Sequence, residues 1–94
     1  MAQLLSESEI QQRSQQLPDE WSVEGKELRG VWKLKDFVEA IAFVNKLVDP
    51  AEQAGHHPDL AISYNQVTIT LTTHDAGGLT ENDFEMAKTI SEIE

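Results

Sequence analysis

The sequence predicts an α+β fold: a four-stranded antiparallel sheet with helices packed on one of its faces. Three observations predict it. Two stretches read as β-hairpins, one around Gly25-Lys26 and one around Asn65-Gln66. Between them runs a segment with apolar residues at helical spacing. Capping patterns at Ser6, Asp36 and Thr80 mark three helix starts. The order is α-β-β-α-β-β-α, and 94 residues fit a single domain spanning 1–94.

Each element has a local reason. Ser6, with Glu9 three residues on, opens a short polar helix over about 7–16, which Pro18 ends. "WSVEGKELRGVWKLK" is β-rich on both sides of Gly25-Lys26, giving strands over about 21–24 and 27–34. After the Asp36/Glu39 cap, Phe37, Ile41, Val44 and Val48 predict one long core helix over 37–54. Pro50 is the anomaly in it: either the helix kinks there, or Asp49 caps a new turn that starts at Pro50. Gly55 is the C-terminal stop.

Leu60, Ile62 and Tyr64 alternate, and so do Val67, Ile69 and Leu71 with threonines between them. The second hairpin therefore has one buried and one polar face, and Tyr64 reads as a strand-face packing residue. Gly77-Gly78 is a tight loop, too short to cradle a phosphate. Thr80, with Asp83 three residues on, caps a last helix over about 81–93, with Phe84, Ala87 and Ile90 as its apolar stripe.

Composition excludes several kinds of function. There is no cysteine, so no thiolate nucleophile, disulfide framework or cysteine-based zinc site. A formal charge of −10 repels phosphate backbones, so nucleic acid is not an expected partner. The N-terminal stretch reads as no signal peptide, and no apolar run approaches the ~18 residues of a membrane span. The expectation is a soluble cytoplasmic protein without membrane contact.

The candidate chemistry gathers at one end of the second hairpin. "AGHHPDL" places His56 and His57 just before the third strand, and His74 follows the fourth. In an antiparallel hairpin those two positions share an end, so the three histidines should be neighbours. Glu52 lies at the end of the core helix and Asp83 in the first turn of the last one. Imidazole titrates near pH ~6.5 and serves as acid or base. A carboxylate beside it fixes its tautomer. Pro58 restricts His57 to extended conformations and stiffens the loop. Neighbouring side chains in an extended segment point apart, so His56 and His57 do not easily ligate one ion, and no metal is expected there.

The pattern acidic-x3-His-His-Pro-x5-aromatic-x9-His-x8-Asp is met by Glu52, His56, His57, Pro58, Tyr64, His74 and Asp83. With "HHPDLAISYNQVTITLTTHDAGGLTENDF" and "GVWKLKDFVEAIAFVNKL" it resembles the pterin-4a-carbinolamine dehydratase family over residues 17–93. The resemblance implies removal of water from a 4a-hydroxytetrahydropterin, giving quinonoid dihydropterin, in recycling the cofactor of aromatic amino-acid hydroxylases. It implies that His56 and His74 are the acid-base pair and that His57 holds the pterin. Glu52 and Asp83 would fix the imidazoles. Pro58, Thr73 and Trp21, first of all a core residue, would complete the pterin contacts. It also implies a homodimer or homotetramer. Relatives of the fold serve as protein-binding or assembly factors, and that is the alternative function. Two departures are Gly55, where some members carry a polar or acidic residue, and Pro50 upstream of Glu52.

Overall fold

A computed structural model describes residues 3–93 of the chain. Its elements run α1 (Glu7–Ser14), β1 (Trp21–Glu24), β2 (Glu27–Lys33), α2 (Phe37–Asn45), α3 (Val48–Ala54), β3 (Asp59–Ser63), β4 (Gln66–Leu71) and α4 (Glu81–Ser91). The four strands form one antiparallel sheet in the order β1-β2-β4-β3. The expected α+β architecture is thus present, with one helix more than the sequence predicts.

Alternation explains which face of the sheet is covered. Leu28, Gly30 and Trp32 on β2 pair with Leu71, Ile69 and Val67 on β4, so all six project to one side. Against them pack Ala40 and Phe43 of α2, Leu47, Ala51 of α3, and Phe84, Ala87 and Ile90 of α4. The opposite face carries Arg29, Lys33, Asp59 and Ser63, all exposed. Gly30 lies under two aromatic rings. A Cβ there would stand 2.5 Å from the Trp32 ring and 2.9 Å from that of Trp21. The two indoles meet edge to face at 5.1 Å.

The predicted single helix over 37–54 is corrected to two, α2 and α3, parted at Lys46-Leu47. Proline is the cause, but it acts one turn upstream. A continuous helix would need Pro50 to donate to the carbonyl of Lys46, and proline has no N–H. The chain breaks so that Pro50 falls in the first turn of α3, where backbone donors have no helical partner anyway. Leu47, not Asp49, occupies the N-cap, and Asp49 lies in that first turn. The buried stripe is also rotated. It runs Ala40, Phe43, Leu47, Ala51, whereas Phe37 and Val48 of the predicted stripe are about half exposed, at 50% and 52%.

The second hairpin turns one residue earlier than predicted. Ser63 pairs with Gln66, so Tyr64-Asn65 is the turn and Gln66 opens β4. Tyr64 has φ 53° and is exposed, so it packs on no strand face. Asn65 anchors the turn: its side-chain N–H donates to the Leu34 carbonyl at 2.9 Å and its own carbonyl accepts from Leu34 N–H at 2.7 Å. Helices α1 and α4 end at Ser14 and Ser91, each short of its predicted limit. The predicted Ser6/Glu9 capping box is present. Helix α1 is tied to α4 by Arg13, whose Nε donates to the Glu81 carboxylate at 3.1 Å.

Candidate active site

Two short loops build the site at one end of the sheet. Asp59, the first residue of β3, pairs with Thr70 near the end of β4, so the segments flanking them emerge side by side. The first loop is set by the end of α3. Gly55 adopts φ 63°, its N–H donates to the Glu52 carbonyl, and the His56 N–H reaches back to the Ala51 carbonyl at 3.2 Å. This is a Schellman closure, which requires a left-handed residue and so favours glycine. The second loop is a tight turn closed by a bridge between Thr73 and Gly78, with Gly77 at φ 80°. His74 sits exposed on it.

These loops bring the three histidines together as the sequence led one to expect. His56, His57 and His74 line one open depression of about 270 Å³, with Thr72, Thr73 and Asp75 on its wall. His56 also borders a larger groove of about 410 Å³ between α3 and α4, beside Gln53, Asn82 and Met86. The larger hollow holds one imidazole and the smaller one all three, which makes the smaller the candidate site.

The two predicted carboxylates differ sharply. Asp83 is fully buried and its Oδ1 lies 2.6 Å from Nε2 of His56, whose side chain is 15% exposed. Its Oδ2 accepts from the Thr80 backbone N–H at 2.9 Å and from the Thr73 hydroxyl at 2.8 Å. A buried carboxylate is costly unless hydrogen-bonded, and here both oxygens are engaged. Thr80 is equally buried, and its Oγ lies 2.8 Å from that of Thr73. Glu52 meets Nε2 of His57 at 2.6 Å, but both side chains are about two-thirds exposed. Such a pair contributes at most ~1 kcal/mol to stability and orients the ring more than it holds the fold.

The remaining predicted contacts fall in different places. Thr73 reaches the depression, with its hydroxyl spent on Asp83. Pro58 lines an adjoining apolar hollow with Val44, Leu47, Val48 and Leu60, and His57 stands between that hollow and the depression. Trp21 stands apart: it is buried and its indole N–H donates to the Ser91 hydroxyl at 2.7 Å. Sequence reasoning took Thr80 for a helix cap alone. The Thr80/Asp83 capping pattern was the visible signal, since the carboxylate that caps the helix also receives His56. Among the described residues no cluster of three or more His, Asp or Glu suited to a metal ion occurs.

An imidazole braced by a buried carboxylate, beside two further imidazoles in an open hollow, is suited to moving protons to and from a bound small molecule. The comparison with known families agrees. The family model described as pterin 4 alpha carbinolamine dehydratase matches residues 3–93. The chain belongs to that family.

Family members close in sequence span its full length. A Cyanothece protein provisionally named a pterin-4-alpha-carbinolamine dehydratase is 68% identical over 93 residues, 99% of this chain and 95% of the relative. A Nostoc relative with the same provisional name is 64% identical, covering 99% of each. Among solved structures, a transcriptional coactivator/pterin dehydratase from Brucella melitensis superposes with a TM-score of 0.85 at 38% identity, over 92% of this chain and 93% of that one. A pterin dehydratase-like RuBisCO assembly factor of the alpha-carboxysome shares the fold, with a TM-score of 0.63 at 24% identity over 76% of this chain and 84% of that one.

Proposed function

We propose that the whole chain acts as a dehydratase, removing water from a 4a-hydroxytetrahydropterin to give the quinonoid dihydropterin. The observation that carries this reading is the single depression shared by His56, His57 and His74, with His56 braced by Asp83. The reaction needs one acid and one base. An imidazolium gives a proton to the 4a-hydroxyl, the C–O bond breaks with the oxygen leaving as water, and a neutral imidazole takes a proton from the pterin ring. His56 and His74 fill these two roles, and His57, oriented by Glu52, holds the pterin. Pro58 keeps the His57 loop stiff. Trp21 serves packing rather than the pterin.

The natural setting in this reading is recycling of a tetrahydropterin cofactor in the cytoplasm, downstream of an aromatic amino-acid hydroxylase. No helix among the described residues is long and apolar enough to cross a membrane. A homodimer or homotetramer is part of the same reading. Val48 of α3 (52% exposed) and Leu60 of edge strand β3 line one apolar hollow with Val44 of α2, and Ile62 lies on the same face of β3; this is an apolar strip that a second copy would cover. Three imidazoles around one hollow favour catalysis over a purely protein-binding role.

The test is loss of freshly generated 4a-hydroxytetrahydropterin, followed by ultraviolet absorbance. The protein is expected to speed it well beyond the spontaneous rate. No acceleration by folded protein contradicts the reading and turns attention to protein partners.

A further inference from the structure

The hydroxyls behind Asp83 have only one consistent hydrogen arrangement. A carboxylate accepts and never donates. Thr73 Oγ lies 2.8 Å from Asp83 Oδ2, so its single proton points there. The same oxygen lies 2.8 Å from Thr80 Oγ, which must then donate its own proton to Thr73. The relay runs Thr80 to Thr73 to Asp83. The Thr80 backbone N–H adds a second donor to Oδ2 at 2.9 Å. Both donors fall on one oxygen, and Oδ1 is left to face His56 Nε2 at 2.6 Å. Facing an acceptor, Nε2 carries the hydrogen.

We propose that Thr73 is a positioning residue: its hydroxyl holds Asp83 so that neutral His56 is kept in the Nε2–H tautomer and offers its Nδ1 lone pair to a bound molecule. The chain's own nitrogen for proton transfer at His56 is therefore Nδ1. The catalytic consequence rests on the dehydratase reading, whereas the tautomer does not.

Long-range proton–nitrogen NMR spectra of the full chain, at a pH where the imidazole is neutral, read the tautomer directly. Wild type is expected to show His56 as Nε2–H. Thr73→Val keeps the shape and deletes the donor. It is expected to mix the two tautomers and lower kcat about 10-fold with KM changed less than about 2-fold. Thr73→Ser is expected to restore both readouts. A wild-type His56 in the Nδ1–H form overturns the proposal, and this arm stands even where Thr73→Val fails to fold. An unmixed tautomer with wild-type kcat in Thr73→Val also overturns it. A wild-type protein with Nε2–H and no dehydratase activity upholds the positioning geometry and removes the dehydratase reading.

Discussion

His56 and Asp83 lie 27 positions apart in the chain and 2.6 Å apart in space. The carboxylate that braces the imidazole also receives the first free backbone donor of α4, Thr80 N–H. Helix start and site are therefore one structure. Asp83→Asn replaces an acceptor with a group that must turn a donor toward either His56 or the Thr73/Thr80 pair. The expected result is a loss of kcat of about 10²-fold or more and a loss of about 1–3 kcal/mol of stability. Steady-state kinetics and thermal unfolding measure the two effects separately.

Gly55 sets where His56 begins. Its φ is 63°, and a Cβ placed there meets nothing within 4 Å. The cost of Gly55→Ala is then backbone strain alone, about 1–2 kcal/mol. For a chain of this size each kcal/mol lowers Tm by roughly 4–8 °C. Gly55→Asn, which tolerates the left-handed region, is expected to lose less. Equal losses from the two would show that side-chain volume, not conformation, matters there.

In the proposed homo-oligomer, the apolar strip on α2, α3 and β3 is the surface covered by a second copy. Leu60 and Ile62 face the covered side of the sheet yet remain 40% and 38% exposed. Ile62→Glu places a charge on that strip without touching the histidines. Sedimentation is expected to show an oligomer for wild type and a monomer for the variant. A wild-type protein that is already monomeric at micromolar concentration would contradict the assignment.

Two acid-base histidines would let one site serve both stereoisomers at C4a. His56→Ala and His74→Ala, each assayed on each isomer, are expected to show opposite preferences. Equal loss on both isomers from each substitution argues against a division of labour.

Much of this was legible in the chain. Period-2 alternation and turn residues located both hairpins, because a sheet with one wet face records its orientation in the sequence. The convergence of His56, His57 and His74 followed from antiparallel pairing alone. The break between α2 and α3 was less legible. Pro50 announced a disturbance, but the helix adjusts by moving the whole first turn, and nothing local says which residue becomes its cap. The rotated helix face has a different cause. Phe37 and Val48 lie on a second apolar stripe beside the half-buried Val44, and sequence periodicity does not distinguish residues meant for the sheet from those left half exposed. Tyr64 looked like a strand residue because its aromatic ring continues the alternation, yet a two-residue turn took it. The roles of Thr73 and Thr80 were hidden for another reason: a hydroxyl's partner is fixed only by the tertiary fold.

The most direct measurement compares wild type with His74→Ala in dehydration of freshly generated 4a-hydroxytetrahydropterin. His74 is exposed on its turn, so the substitution is expected to leave the fold intact. Rapid loss of the intermediate with wild type, and a fall of about 10²–10⁴ toward the spontaneous rate in the variant, is the predicted result. A folded wild-type protein that does not exceed the spontaneous rate, or a His74→Ala protein as fast as wild type, would contradict the account.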